Sequence, residues 1–278
     1  EGQVLVGTIA AGWAGWTFTG LSPWVHVPLA MLIGAAAGAI WGFIPGLLKV
    51  KTGAHEVITT IMMNYIAYYL IYYLIAAPMR DMTQMTPKTP LIQESAHLIR
   101  LFPDPIRFHL GFFIAIAVAF IVWFILFKTT WGYEIRSVGL NPAASKYAGM
   151  NITTITVAAM SLSGGIAGLA GASEILGVTW RQSQALSSGY GFDSIALALL
   201  AQNHPLGVIL TALLFGFLKS GSRVMQVRAG VPIYIINILQ AFIILFIAAP
   251  AIVRTIYRLK QPSTKEITVS TGSFSERK

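Results

Sequence analysis

The chain contains no cysteine, and only 10% of its residues are charged. The first absence excludes disulfides and thiolate metal sites. The second excludes a soluble domain, whose solvated shell needs roughly 25% charged residues. Acids are the scarcer sign, 10 against 19 Lys and Arg. A membrane enzyme or metal site needs clustered acids, bases or ligands, and none is visible. "HEVIT" at 55–59 opens like the zinc motif HExxH, but Thr59 stands where the second His must be. No GxxxxGK[ST] loop is present to cradle ATP phosphates. The net charge of +9 lacks the basic runs interleaved with aromatics that nucleic acid would require. Basic residues in the short loops of a membrane protein meet anionic headgroups instead, so lipid is the expected partner and nucleic acid is not.

What the chain has in abundance is apolar sequence, 55% of its residues. A bilayer core of about 30 Å takes roughly 20 helical residues at about 1.5 Å each. The apolar runs are long and lack period-2 alternation, which excludes strands. They predict an all-α polytopic protein of the cell membrane with about eight spans, at 4–19, 27–47, 57–77, 111–127, 152–173, 190–202, 205–218 and 231–253. The sixth and seventh are short and joined by QNHP, as in a tight helical hairpin. Residues 1–260 read as one transmembrane domain, and the polar tail 261–278 as a disordered cytoplasmic extension. The start at Glu1, without Met or a signal-like segment, reads as a chain lacking N-terminal material.

Orientation follows from the basic short loops. Lys49 and Lys51, then Lys128, Arg136 and Lys146, then Arg254, Arg258 and Lys260 fall on one side if every span crosses once. That side is predicted to be cytoplasmic, with the 78–110 loop outside. Lys219, Arg223 and Arg228 disagree, because this map puts them outside too.

Small residues are spaced to join helices. Ala30, Gly34, Gly38, Gly42 and Gly46 recur every four residues, and Gly164, Gly168 and Gly171 repeat the device with Gly165 beside them. In lipid, close backbone approach and dispersion drive helix association. Glu56, Glu174 and Asp193 fall near span ends, so no deep ionisable group marks a coupled carrier. Span interiors hold Asn64, Asn237 and Gln240, each able to serve an interhelical hydrogen bond or a solute. The chain reads as a solute path without an energy source of its own.

Between two uncharged runs lies a polar island, "WGYEIRSVGLNPAASKYAGM" at 131–150. Asn141 suits a helix N-cap and Pro142 the first helical turn, so a short helix should start there, exposing Ser145 and Lys146. The stretch "GLNPAASKYAGMN" resembles the cytoplasmic loop of ABC-importer permeases of the branched-chain amino acid, ribose and nucleoside group. The matching positions are Gly139, Asn141, Ala143, Ala144 and Gly149. "EGQ" at 1–3 resembles the end of the segment before the family's third span. "GAHEVITTIMMNYIA" at 53–67 and "GYGFDSIALALLAQNHPLG" at 189–207 are similar to the nucleoside branch. His55 departs from a usual Asn and Ala201 from a usual Gly.

The resemblance implies a fold of ten spans, eight of them present here. It implies that segment 128–151 docks on a cytoplasmic ATPase, through Gly139, Asn141, Pro142, Ala143, Ala144, Ser145, Lys146 and Gly149. The further partners implied are a second permease and an extracellular substrate-binding lipoprotein. No cofactor and no chemistry of its own are implied.

For the solute, the candidates are Gln3, Asn64, Tyr65, Tyr68, Phe192 and Asp193. Tyr65, Tyr68, Tyr69, Tyr72 and Tyr73 share one helical face. Tyr72 and Tyr73 suit an outer aromatic belt; Tyr65 and Tyr68 lie deeper and either pack in the core or stack on a flat base. The expected substrate is a nucleoside. Ribose, other simple sugars or branched-chain amino acids are the alternatives within the group, and an ATP-independent carrier is the alternative outside it.

Overall fold

The computed structural model describes residues 1–103, 106–183 and 189–230, with 232, 234, 235, 238, 241, 242 and 245. Asn237, Gln240, the body of the predicted last span, its basic residues and the tail lie outside the described residues. Helices account for the described apolar runs: α1 Gly2–Thr17, α2 Pro23–Thr52, α3 Glu56–Ala76, α4 Gly111–Lys128, α5 Thr130–Leu140, α6 Pro142–Tyr147, α7 Ile152–Glu174, α8 Tyr190–Leu200 and α9 Pro205–Ala229. Among the described residues β-pairing is confined to isolated bridges, Lys88 with Ser183 and Arg100 with His109.

Among the described residues, five helical segments are long and apolar enough to cross a membrane: α2, α3, α4, α7 with its extension to Thr179, and α9. Two further predicted spans exist as shorter helices, α1 with 16 residues and α8 with 11. The predicted pair of short helices is corrected on one side. α9 runs 25 residues, to Ala229, because nothing in LKSGSRVMQVRA breaks a helix, and it carries Lys219, Arg223 and Arg228 within it. Contacts divide the chain at Gly221. The second unit opens with the last turns of α9, on which Arg223 and Arg228 are exposed.

The first unit, residues 1–221, is organised by α1, α2 and α7, and its glycines explain their approach. A Cβ on Gly38 would sit 2.8 Å from the Gly168 Cα, and one on Gly42 2.6 Å from the Met160 carbonyl oxygen. A Cβ on Gly34 would lie 2.9 Å from that of Ala172 and 3.0 Å from the Gly7 carbonyl oxygen. The ridge read from the sequence is therefore a backbone-to-backbone crossing, and side chains of any size would push the helices apart. Gly165, by contrast, meets its neighbours only at ordinary contact, 3.5 Å.

Above this crossing, α7 continues into a π-helical turn, Ile175–Thr179, which ends at Trp180 with φ of 55°. A non-glycine residue in that region costs about 1–3 kcal/mol and persists only when its surroundings hold it. The Trp180 amide donates to the Ile175 carbonyl at 2.9 Å, its ring stacks on His97 at 4.6 Å, and the Arg100 guanidinium lies 4.1 Å from the ring centre. The 78–110 segment closes over this end. Ile92, Ala96 and Leu98 enter the core with Ala172, Ile175 and Leu176. Amides of Ile92, Gln93 and Leu98 donate to carbonyls of Trp180, Gly15 and Leu176 at 2.9–3.0 Å. His26, wholly buried, contacts the Ser95 hydroxyl at 2.8 Å and the Ala14 carbonyl at 3.1 Å.

Candidate functional site

The start of α1, the first three turns of α3 and the first two turns of α8 converge on a cavity of about 350 Å³. Glu1 and Gln3 line it from the first, Val57, Thr60, Ile61 and Asn64 from the second, and Gly191, Phe192 and Ile195 from the third. The spacing 57, 60, 61, 64 is one face of a helix, which puts an amide, a hydroxyl and two aliphatic groups on a common wall.

Asn64 is fixed by a long-range bond: its Oδ1 accepts the Gly2 amide at 2.7 Å. Residue 2 has little room for a side chain, since a Cβ there would lie 3.0 Å from that oxygen and 3.1 Å from the indole nitrogen of Trp41. With Oδ1 engaged, the Nδ2 donor of Asn64 has no partner among the described residues. The Trp41 Nε1 is likewise buried without one. The Thr60 hydroxyl donates back to the Glu56 carbonyl at 2.8 Å, and its remaining lone pair stays available as an acceptor.

Glu1 is set in place from two sides. Its Oε1 accepts the Gly189 amide at 3.2 Å. Its backbone lies so close to Gly191 that a Cβ there would stand 2.8 Å from the Glu1 Cα. Gly189 itself adopts φ of 74° as it turns the chain into α8, a conformation that suits glycine. Among the described residues no Lys, Arg or His side chain lines the cavity.

Of the predicted pathway residues, Gln3, Asn64 and Phe192 meet here. Tyr65 and Tyr68 do not. The tyrosine face is real, but among the described residues it is exposed, because Met63, Ala67, Ile71 and Ile75 turn the opposite face of α3 inward. Asp193 is also diverted: its carboxylate pairs with Lys219 of α9 rather than lining the cavity. The residues that the sequence reading missed are Glu1 and Thr60. Both stand inside quoted blocks, EGQ and GAHEVITT, and local spacing could not show that the blocks meet.

The polar island forms two helices that join at Asn141. Its Oδ1 accepts the Ala144 amide at 3.0 Å, and Pro142 occupies the first turn of α6, as expected. One expectation is corrected: Ser145 is buried, not exposed, because its hydroxyl turns back to donate to the Asn141 carbonyl at 3.0 Å. Lys146 is exposed, as are Gly139, Asn141, Pro142, Ala143, Ala144 and Gly149. Leu140 and Tyr147 are 87% and 96% exposed, unusual for apolar side chains on an ordered helix pair. Gly149 takes φ of 80° and needs to be glycine for that reason, whereas Gly139 has nothing within 4 Å of its Cβ position.

A larger cavity, about 580 Å³, opens between the N-terminal part of α2 and residues 97–114. Its walls are Trp24, Val27, Pro28, Met31, Leu98, Ile99 and similar groups, with His97 as the polar exception. Among the described residues no group of His, Asp and Glu is placed to hold a metal ion.

Comparison with known proteins agrees with this geometry. Residues 1–248 match the family described as "Branched-chain amino acid transport system / permease component". The guanosine ABC transporter permease protein NupP of Bacillus subtilis is 46% identical over 259 residues, covering 91% of this chain and 73% of that protein. The nucleoside ABC transporter permease protein NupB of Lactococcus lactis subsp. cremoris is 37% identical over 280 residues, covering 97% and 75%. The glucose ABC transporter permease protein TsgB13 of Haloferax volcanii is 34% identical over 259 residues, covering 89% and 67%. No solved structure matches the chain. A bundle of apolar helices joined through glycine ridges, with no catalytic cluster among its described residues, is thus a multi-pass membrane permease, and the chain belongs to the branched-chain amino acid transport system permease family.

Proposed function

We propose that this permease passes nucleosides through an ATP-driven importer, with the 350 Å³ cavity on their path. The observation that carries the reading is the meeting of Gln3, Asn64 and Phe192 in one cavity, an aromatic face beside amides and a hydroxyl. Phe192 takes the stacking role for a flat base, and the Asn64 Nδ2 and Thr60 oxygen meet sugar hydroxyls. The size suits one small solute. The names of the relatives at 46% and 37% identity support the same substrate class. The glucose permease at 34% keeps a sugar as the second reading.

The energy source is a cytoplasmic ATPase gripping α5 and α6. Leu140, Ala143, Ala144 and Tyr147 support this role, being exposed on ordered helices among the described residues. Alternating access then follows from a pull on this pair. A second permease and an extracellular binding protein complete the complex, and the family's ten-span plan supplies the spans beyond those described. In this orientation α5 and α6 are cytoplasmic and the 78–110 segment is external.

Two measurements test the reading. Uptake by the complete transporter should be saturable for nucleosides and blind to free ribose, glucose and leucine; the opposite order overturns the substrate. With no native Cys, single cysteines at Met85, 99% exposed, and at Tyr147 can be labelled cleanly. An impermeant reagent should reach the first from outside and not the second; reversed labelling overturns the orientation.

A further inference from the structure

The wall that α3 gives the cavity is neutral; the charged groups at the site, the carboxylate and ammonium of Glu1, belong to the start of α1. Two side chains of that wall each present one hydrogen-bonding role to a solute. The Thr60 hydroxyl turns its only proton to the helix backbone, 2.8 Å from the Glu56 carbonyl and 3.1 Å from that of Val57, so it meets a solute as an acceptor. Asn64 has its oxygen engaged by the Gly2 amide at 2.7 Å, so the Nδ2 donor is what it offers. That bond also settles which way the Asn64 amide faces, since only the oxygen can accept from an N–H. One helical turn separates the two residues, which puts their Cβ atoms about 5–6 Å apart on one face. The other lining residues of α3, Val57 and Ile61, are aliphatic.

We propose that Thr60 and Asn64 together read the cis-diol of ribose, so that this permease moves ribonucleosides faster than nucleosides lacking either sugar hydroxyl. The inference rests on the nucleoside reading and narrows it to ribosides. A hydroxyl can both donate and accept. In a cis-diol one hydroxyl donates to the Thr60 oxygen while its neighbour accepts from Asn64 Nδ2, each at about 2.7–3.2 Å. The adjacent oxygens bridge the turn between the two side chains, and the flat base is left to Phe192 of α8. A 2′- or 3′-deoxynucleoside keeps one hydroxyl and leaves one of the two side chains without its partner. An arabinoside has both hydroxyls, but on opposite faces of the ring, and reaches only one of them. A site built to hydrogen-bond a hydroxyl rejects the analogue lacking it more strongly than an apolar pocket rejects a missing methylene.

The test uses the complete transporter, with its binding protein, in proteoliposomes, and compares maximal uptake rates for adenosine, 2′-deoxyadenosine, 3′-deoxyadenosine and adenine arabinoside. Saturating substrate removes differences in capture by the binding protein. The three analogues should move at about one-tenth of the adenosine rate; rates alike to within about twofold overturn the proposal. Thr60→Val keeps the shape of the side chain and removes its oxygen. The adenosine rate should then fall about tenfold, while one of the two deoxynucleosides, the one without the hydroxyl that Thr60 reads, stays within about twofold. Thr60→Ser retains the oxygen and should retain the ratio of adenosine to its analogues. Equal loss for all four substrates in Thr60→Val assigns Thr60 a merely structural role and overturns the proposal, as does no loss for any. If Thr60→Val does not assemble, the wild-type series decides. A wild-type transporter that moves free sugar and no nucleoside fails at the earlier step and overturns both readings; one that moves all four nucleosides alike overturns only this one.

Discussion

The 78–110 segment and the 130–149 segment both interrupt apolar helices, and both are polar enough to pass for surface loops. They are finished in opposite ways. Among its described residues the first has almost no regular structure, only the single turn Glu94–Ala96, yet it is locked. Ile92 and Leu98 are each 2% exposed, and its amides find carbonyls on α1 and the end of α7. The second is nearly all helix, with side-chain caps at Thr129 and Asn141, yet its outer face is exposed among the described residues. Regular structure and packing are thus separate properties. A helix pair can be ordered by its own backbone and stay exposed, while a segment without regular structure can be core.

The largest expected effect comes from attacking the irregular segment as if it were core. Leu98→Asp places a charge among Leu176, Ile175 and Ala172. It should destabilise the permease by at least about 3 kcal/mol, seen as loss of monodisperse protein on extraction. Ala144→Asp, an equally drastic change on the bare helix, should leave extraction and thermal stability unchanged within about 0.5 kcal/mol. If the two behave alike, the comparison is broken.

A second test works through function. Ala144→Trp and Tyr147→Ala should each leave the permease folded and inserted while reducing coupled uptake about tenfold or more, because anchors of an interface carry most of its energy. Normal uptake in both variants would make α6 an ordinary surface helix.

A smaller effect is expected at His26, which ties α2 to Ala14 of α1 and to Ser95 of the irregular segment. His26→Leu removes both bonds from a wholly buried position and should lower stability by about 1–3 kcal/mol, read as an earlier thermal unfolding midpoint. An unchanged midpoint would mean that the segment is held by its apolar residues alone.

The smallest effect concerns pH. His97 and His109 are both held below the ordinary value of 6.5, by burial first and by the nearby positive charge of Arg100 as well. The fold therefore favours their neutral forms, and below 6.5 the unfolded chain binds more protons than the folded one. Their stabilisation is complete above that pH and declines as acid approaches the lowered folded values. Thermal unfolding followed from about pH 7.5 to 5 should show the decline, and His97→Phe with His109→Phe should flatten it. The bare helices α5 and α6, which hold no histidine, should show no matching change in labelling at Tyr147.

The helices themselves were legible because their cause is local. Runs such as 57–77 and 111–127 can satisfy their backbone in lipid only by coiling, and α3 and α4 follow them within a residue or so. The cap at Asn141 and the glycine ridge of α2 were legible for the same reason, each being a matter of one residue or one periodicity. Ser145 was misread because its hydroxyl could face out or turn back to the Asn141 carbonyl, and only the helix geometry decides between the two. The tyrosine face was legible as a face, and its side chains are exposed and do not line the cavity of Asn64. Periodicity gives the angle between side chains but not the direction of the neighbours.

The amino-acid sequence by itself determined the class of molecule, the places of most spans, the close helix crossings and the helix that starts at Asn141. These follow from hydropathy, residue size and capping chemistry, which act over a few turns of one segment. Only the tertiary structure decided that Glu1, Asn64 and Phe192 share a cavity, that Asp193 is spent on Lys219, and that residues 92–98 are core. Those outcomes depend on which helices lie side by side. A bond such as Gly2 to Asn64, across 62 positions of sequence, has no local signature, because each partner could equally have met lipid, water or another helix.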